Sequence, residues 1–531
     1  MYWTPSAAVT PAEERLCDRM KRTGRFYAFL RIVRARLFDE TFQAQLVATY
    51  AAPHGGTEPV PPACVTAVLL LQAFAKVSDA EAIRRVHMDL AWQMVLGWLG
   101  TDPESIRLSQ GTLFNVRERL IATGMDKVLL ARTVQLARET GLFGARALAG
   151  IRLVIDSAPL DGAGRVEDTI NLLGHALRHV AAAAAHLLDE DVAAIAVAAG
   201  LPVLGGSSIK AALDLDWNAP TAVQTGLDAL LAQRANLDAW LAQQGEGVRL
   251  HSSVLEAQAV LARVVEQDTE GDPTRRGRRL KEGVAADRLI SLHDPEMRHG
   301  RKSKSQRIDG YKRFVGVDAA LVLGVAVQPA NVGEHHGADT LRPEVEQHGP
   351  IVEVQVDRAF LASQLVVDLD ARGDTVLAKA YPDQGTPGFT KHDFTIDEAA
   401  GTVTCPAGQT TPLRDDRIAK FPNATCAACA HRPSCQKAGA KAGRSIQVHP
   451  REALLKKLRA GTETDVGRAR LRERVVVEHQ LAHVVFRQGD RARYVGVRKN
   501  EYDLRRSSAV QNLHALDRHG VLEDEVYAEA A

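Results

Sequence analysis

Two short apolar runs that each lead into an aspartate place the strongest constraint on how this chain can fold. Residues 152–156 read Arg-Leu-Val-Ile-Asp, and residues 351–357 read Ile-Val-Glu-Val-Gln-Val-Asp. Alternating side chains and β-branched residues predict a strand in each case. We expect Asp156 and Asp357 to end their strands at the rim of a sheet, where loops and ligands gather. An aspartate that only caps a turn is the alternative for either residue taken alone.

Helical and hairpin patterns surround these two strands. Residues 13–141 have apolar side chains at helical spacing, which fits either an ordinary bundle or a helix-turn-helix reader of DNA. Residues 170–267 are rich in Ala and Leu and predict an α-helical insertion. Strands are predicted at 311–317 and 321–328 as a hairpin, another strand at 375–380, and one long helix from 452 to 486. The fold class is therefore α/β.

Composition and charge narrow the class of protein. The chain has 531 residues, is 45% hydrophobic and 25% charged, and carries a net charge of +1, which is typical of a globular protein. No signal peptide is visible at the N-terminus, and the longest uncharged stretch, residues 192–209, is broken by Gly and Pro. We therefore expect a cytoplasmic protein in which any affinity for nucleic acid arises from local basic patches.

A glutamate late in the chain completes an acidic constellation. Residues 471–486 predict a helix whose apolar stripe contains Leu471, Val475 and Ala482, and Glu478 lies within that stripe. A carboxylate on a buried face needs a partner or a cation. Arg474 could supply a local pair; alternatively, Glu478 meets the two aspartates at the sheet edge. Three carboxylates there would suit Mg²⁺, and two such ions would support displacement at phosphorus.

Basic residues are concentrated beside this constellation. Residues 275–313 contain thirteen Lys and Arg against five acids, and the densest part is His-Gly-Arg-Lys-Ser-Lys at 299–304. A polyanion would find counter-charge in such a segment, and its binding would depend on salt. A solvated charged loop is the alternative interpretation.

Four cysteines form a second possible metal site. Cys405, Cys426, Cys429 and Cys435 have the spacing C-x20-C-x2-C-x5-C, whereas the other two cysteines of the chain are isolated. This spacing predicts a structural zinc held by four thiolates. There are two alternatives: the four thiols are reduced and bind no metal, or His431 replaces one of them as a ligand. No Walker-A motif is present, which argues against nucleotide hydrolysis.

Several motifs together resemble bacterial insertion-sequence transposases of the DDE type. The resemblance runs from about residue 30 to 515. The segments that carry it are Val-Ile-Asp-Ser-Ala-Pro-Leu at 154–160, 162–169, 293–303, Gly-Tyr-Lys at 310–312, Pro-Ala-Asn at 329–331, Val-Asp-Arg-Ala-Phe-Leu at 356–361, 474–478, Arg-Tyr-Val-Gly at 493–496 and Asn-Leu at 512–513. The four-Cys segment is similar to a subgroup with such an insert between the second Asp and the Glu. Ala158 and the pair Ala359-Phe360 depart from the residues usual in the family.

The resemblance implies a fold and a division of the chain. It implies an RNase H-like mixed-sheet core with Asp156, Asp357 and Glu478 as the metal-binding triad, and an N-terminal domain that helps to recognise DNA ends. The expected parts are a helical N-terminal domain at 1–145, a catalytic core at 146–169, 288–388 and 452–515, an α-helical insertion at 170–287, a Cys-rich insertion at 389–451 and a tail at 516–531.

The expected function is DNA transposition. Two Mg²⁺ ions, which Mn²⁺ could replace, would support cleavage at the terminal inverted repeats and attack of the freed 3′-OH on target DNA. The substrate is double-stranded DNA, and a homodimer or larger assembly would join two ends. The expected DNA contacts are Arg298, Arg301, Lys302, Lys304, Tyr311, Lys312, Arg313 and Arg358. A domesticated, non-catalytic DNA-binding protein and an RNase H-like nuclease without strand transfer are the alternatives.

Overall fold

The computed structural model describes residues 1–50, 59–141, 150–206, 208–303, 305–381 and 388–520. The expected DNA contact Lys304 lies outside these residues, as does most of the expected tail. The chain forms two compact units. The first comprises the chain up to Ile151, Ile155–Pro350 and the part from Val476 onward, and the second comprises Arg152–Val154 and Ile351–Val475.

Helices from both ends of the chain form one body in the first unit. The N-terminal helices are α1 (Pro11–Leu37), α2 (Glu40–Ala48), α3 (Pro62–Ala75), α4 (Asp79–Met88), α5 (Leu90–Leu96), α6 (Gln110–Thr123) and α7 (Met125–Glu139). A capping box between Thr10 and Glu13 starts α1. Twelve of the fourteen residues of α3 are buried, as expected for a helix that is apolar on every side.

The late helix α21 (Val497–Arg518) is almost entirely buried despite its polar composition. Its polar side chains are satisfied by the early helices: Arg498 pairs with Asp126, and Arg506 donates to Gln72 at 2.6 Å. Asn512 donates to Thr133 at 2.9 Å and accepts from the backbone of Val322 at 2.8 Å. Buried polar groups of this kind need partners, and α21 finds them in the N-terminal helices and the sheet.

The segment between the first two sheet strands is a helical subdomain with its own core. It contains α8 (Thr169–Leu188), α9 (Val192–Ala198), α10 (Ile209–Ala212), α11 (Ala222–Ala242), α12 (Glu246–Arg249) and α13 (Ser252–Asp268). Leu172, Leu177, Leu227 and Leu237 are fully buried in its core. The expected α-helical insertion is not purely helical, because β2 (Thr269–Gly271) and β3 (Arg278–Leu280) pair as an antiparallel hairpin.

A mixed sheet lies at the centre of the first unit, which confirms the α/β class. It contains β1 (Ile151–Asp161), β4 (Arg298–Arg301), β5 (Arg307–Asp318) and β6 (Leu321–Pro329), followed by α14 (Glu334–Glu346). Strand β5 pairs with β1 and, antiparallel, with β4 and β6. The hairpin predicted around Asp318-Ala319-Ala320 is confirmed, and Ala319 adopts a φ of +51° in its turn.

The second unit continues from β7 (Ile351–Gln355), which pairs in parallel with β8 (Thr375–Leu377) across α15 (Gln364–Arg372). The small strands that follow are β9 (Thr395–Asp397), β10 (Thr402–Thr404), β11 (Thr410–Pro412), β12 (Ile418–Lys420) and β13 (Ser445–Gln447). The helices are α16 (Asn423–Ala427), α17 (Arg432–Cys435), α18 (Glu452–Glu463) and α19 (Asp465–Arg472). Phe394, Val403 and Phe421 form a small core under the short sheets.

Two local predictions are wrong. Strand β1 does not end at Asp156 but continues to Asp161, because the Ser-Ala-Pro-Leu that follows also takes an extended conformation. The long helix expected over 452–486 is three helices, the last being α20 (Val475–Gln488). Thr464 leaves the helical conformation with a ψ of 149°, and its hydroxyl accepts from the backbone of Gly467 to start α19.

Candidate active site

Asp156 occupies the middle of β1, half-buried, in the first unit. Its carboxylate accepts a hydrogen bond from the backbone N–H of Ser157 at 2.8 Å. The buried Ser157 hydroxyl in turn lies 3.1 Å from an oxygen of Glu334, in the first turn of α14. These contacts fix the strand on which Asp156 lies. Glu334 is not among the residues predicted from the sequence, although its position directly after the hairpin exit and a Gly could have indicated it.

Asp357 follows β7 in the second unit, as the sequence predicted, and precedes a short 3-10 turn at Arg358–Phe360. Its side chain is 52% exposed, and its carboxylate pairs with the guanidinium of Arg474. The side-chain amide of Gln355 donates to the carbonyls of Arg470 and Leu471, both at 3.1 Å, and thereby anchors the end of α19 to β7. Arg474 therefore has a partner in Asp357, which the sequence did not predict.

Glu478 lies in the first turn of α20 and is exposed. The apolar stripe predicted through it is wrong: Val475 is 45% exposed, and the buried face runs instead through Val477, Leu481 and Val484. Since α20 begins at Val475, Leu471 does not set its phase. The desolvation argument for a cation at Glu478 therefore fails, although an exposed carboxylate is open to one.

The described residues contain no group of three or more His, Cys, Asp or Glu side chains arranged to hold a metal ion. Asp156 and Glu478 belong to the first unit and Asp357 to the second. The convergence of the three carboxylates therefore stays a prediction. Their oxygen donors have the chemistry that Mg²⁺ prefers, and all three side chains are at least partly open to solvent.

Four of the expected DNA contacts have partners inside the protein. Arg313 is 1% exposed and donates to Gln488 and to two backbone carbonyls. The Tyr311 hydroxyl donates to Asp294 at 2.5 Å, and burial raises its pKa. Arg298 pairs with Asp287 at 2.7 Å, and the Lys312 ammonium donates to a carbonyl at 3.1 Å. In this arrangement, these side chains stabilise the fold and are not open to phosphate.

The other expected contacts remain accessible. Arg301 and Lys302 are exposed at the end of β4, and Arg358 is half-buried directly after Asp357. These three side chains are the candidates for DNA contact that the described residues retain from the prediction.

The four clustered cysteines line one small cavity in the second unit, of about 30 Å³. All four are half-buried and none forms a disulfide. Burial raises the pKa of Cys435, the guanidinium of Arg444 lowers it, and the neighbouring thiols raise it further. The backbone N–H of Arg444 also points to the sulfur of Cys426 at 3.4 Å. Four sulfur donors that line one small cavity have the ligand composition of a zinc site. Among the described residues, however, they are not arranged with the geometry of a metal site.

Comparison with known proteins gives two matches to family models. A Transposase DDE domain matches residues 404–516, and a Transposase domain (DUF772) matches residues 17–119. No curated protein and no solved structure matches the chain. The first match contains Glu478 and the four cysteines, and the second contains most of the N-terminal helices. They support an enzyme of the nuclease and transposase class, and the mixed sheet is consistent with an RNase H-like core.

Both matches are to transposase domains, and they indicate a DDE transposase of an insertion sequence. That family implies an enzyme that binds DNA and uses a divalent metal ion. Among the described residues, no single helix has the length and apolarity to cross a membrane; only the pair Pro62–Ala75 and Asp79–Met88, bent by 107°, meets those two criteria together.

Proposed function

We propose that this transposase cleaves DNA at the terminal inverted repeats of its element and joins the freed 3′-OH ends to target DNA. Asp156, Asp357 and Glu478 are the carboxylates of the reaction. The observation that carries this assignment is the state of Asp357: it is exposed directly after its strand and already holds a cationic group, the guanidinium of Arg474. A carboxylate in this position readily exchanges one cation for another.

The carboxylate oxygens of the triad would hold two Mg²⁺ ions, or Mn²⁺ in their place. When bound, such ions make an attacking oxygen more nucleophilic and stabilise the leaving oxygen at phosphorus. The chain's own part is to position the acids: the bond from Ser157 to Glu334 supports the strand of Asp156, and Gln355 supports that of Asp357. Arg474 would have to release Asp357 for that carboxylate to hold a metal ion.

Arg301, Lys302 and Arg358 contact the phosphates of the DNA. The substrate is double-stranded DNA, both the element's ends and the target, and a homodimer or larger assembly joins two ends in one complex. The N-terminal helices help to recognise the ends. The protein acts in the bacterial cytoplasm, where its DNA lies.

Cys405, Cys426, Cys429 and Cys435 hold a structural zinc ion. The cavity that all four line supports this proposal, and three of them also pack against the small core around Phe394 and Phe421. Zinc binding would deprotonate the thiols and stabilise the folded insert.

Strand cleavage of a plasmid that carries the element's ends tests the catalytic assignment. We expect Asp357→Asn to lose at least a hundredfold in Mg²⁺-dependent cleavage while binding the same DNA. Asp374→Asn is the matched control, because Asp374 also pairs with an arginine in the second unit, Arg372, at 2.8 Å. Unchanged cleavage by Asp357→Asn would remove this residue from the mechanism.

The same assay separates the two alternatives. A non-catalytic DNA-binding protein would cut nothing with any metal ion, and a nuclease without strand transfer would cut the ends but never join them to a second DNA. Joined products with the wild-type chain would contradict both.

A further inference from the structure

Cationic side chains of α20 and α21 form a surface that the function proposed above does not use. His479, His483 and Arg487 recur every four residues along α20 and therefore share one face. The two histidines are exposed and Arg487 is half-buried. Arg518, the last residue of α21, is also exposed.

Packing in the first unit brings the two helices' cations together. The Arg487 guanidinium lies 5.5 Å from the ring centre of Phe74, and the ring of His514, one turn before Arg518, lies 6.4 Å from the same ring. Arg487 also donates to Gln511 of α21 at 3.3 Å. Lys76 extends the surface: its ammonium lies 3.6 Å from the ring centre of Phe486 and donates to that residue's carbonyl at 3.3 Å.

Positive charges act on Arg487, His483 and His514. Burial and the charge of Arg518 lower the pKa of Arg487 to about 10. The pKa of His483 is lowered by burial and by Arg518, Arg487 and His479. Burial and Arg487, Arg518 and His483 lower the pKa of His514 to about 4. Arg487 and Arg518 therefore repel each other, and Arg487 is held by the Phe74 ring and the Gln511 amide.

We propose that His479, His483, Arg487 and Arg518, with Lys76 at the edge, form a binding surface for the phosphates of double-stranded DNA. We call it the α20–α21 cation surface. The proposal rests on the proposed function, since that function supplies the DNA. A gathering of like charges is costly in the free protein and becomes favourable when a polyanion releases its counterions there.

The dimensions favour a polyanion over a single phosphate. From His479 to Arg487 the helix rises about 12 Å, at 1.5 Å per residue. A duplex presents charges continuously over such a length, one per about 1.7 Å of its axis. Because Glu478 precedes His479 in the same turn, DNA bound here would pass beside that proposed catalytic residue.

The test is the salt dependence of binding to an end-containing duplex by the full chain at pH 6, without divalent metal. We expect His483→Ala/Arg518→Ala to reduce the slope of log K against log salt by up to about 1.8, or about 0.9 per lost phosphate contact. This corresponds to a tenfold to hundredfold loss of affinity near 0.1 M salt, on the order given by that slope. Arg275→Ala/Arg279→Ala is the control, since it removes two arginines that pair with acids.

Each outcome decides the proposal. If the wild type binds the duplex and the His483/Arg518 variant keeps its slope, the α20–α21 cation surface is not a DNA site, while the proposed function stands. If the wild type binds no duplex, both proposals fall together. If the double variant does not fold, as shown by its thermal unfolding, the exposed Arg518→Gln alone is measured, with an expected reduction in slope of about 0.9.

Discussion

The basic stretch at 275–313 and the α20–α21 cation surface differ in how their basic side chains are paired, which amino-acid composition does not reveal. The stretch is by far the richer in Lys and Arg, yet several of its arginines are paired with acids: Arg275 with Asp228, Arg279 with Glu270 and Arg288 with Asp268. The α20–α21 cation surface has fewer bases, two of them exposed histidines, and the charges that shift the pKa values of His483 and Arg487 are positive. An excess of bases in the sequence is therefore not the same as a basic surface.

The difference arises from partners that are distant in the sequence. Asp228 lies 47 residues before Arg275, and Asp268 lies 20 residues before Arg288. Only the folded helical subdomain brings these acids to the stretch. Four predictions test this difference; three concern residues that form or hold the stretch, and one concerns His514 beside the α20–α21 cation surface.

The largest expected effect comes from the buried pair of Arg288 and Asp268, whose side chains are 11% and 5% exposed. Asp268→Ala leaves the Arg288 guanidinium buried without its carboxylate, which should lower the free energy of unfolding by ~3–5 kcal/mol. Denaturant unfolding measures this loss. A loss below 1 kcal/mol would show that the pair is solvated and that the stretch is less neutralised than the contacts indicate.

Arg313 should behave as a structural residue in the same way. Arg313→Ala removes hydrogen bonds to Gln488, Gly489 and Pro159 and should lower the free energy of unfolding by ~2–4 kcal/mol. The salt slope of DNA binding by the folded fraction should stay unchanged. If the variant instead had unchanged stability and a reduced salt slope of DNA binding, Arg313 would be a DNA contact.

Acid should destabilise the α20–α21 region. The pKa of His514 is lowered to about 4 in the folded protein, so the unfolded chain, with an ordinary pKa near 6.5, binds a proton first. Stability is therefore complete above pH 6.5 and is lost as pH falls towards 4, by on the order of 2 kcal/mol after allowance for partial exposure. His514→Phe, which keeps a ring against Phe26 and Phe74, should flatten this part of the stability curve.

The smallest effect is expected at the exposed pair of Arg275 and Asp228, whose side chains are each 41% exposed. Asp228→Ala should change the free energy of unfolding by less than ~1 kcal/mol. It should, however, release Arg275 from that partner and slightly raise the affinity for DNA at low salt. Titration of the same duplex at 50 mM salt measures the change, and an unchanged affinity would mean that Asp272 alone neutralises Arg275.

Much of the fold could be predicted from local patterns, and the failures have definite causes. The hairpin β5–β6 and the strand before Asp357 follow from alternation and from turn residues, which are local. The end of β1 was misplaced because Pro159 reads as a turn signal, although it fits an extended strand. The phase of α20 was misjudged because a one-residue shift in where a helix starts changes which face is buried.

For the candidate site, sequence motifs supply candidate residues, whereas the partners of its charged side chains could not be predicted from the sequence. The motifs gave Asp156, Asp357 and Glu478, and the family match covers Glu478. No local pattern could give the pair of Arg474 with Asp357 or the burial of Arg313, because both depend on elements more than a hundred residues apart. The ion-pair partners of a charged side chain depend on the tertiary structure. The role of such a side chain is therefore difficult to predict from its neighbours in the sequence.

The burial of α21 among the N-terminal helices has a consequence for the order of assembly on the ribosome. Gln72, Asp126 and Thr133 are synthesised hundreds of residues before Arg506, Arg498 and Asn512, their partners. During that interval the early helices expose the polar and apolar groups that α21 later covers. A nascent chain thus completes its first unit only after residues 497–518 have emerged, and a product that stops earlier would be left with an open helical body.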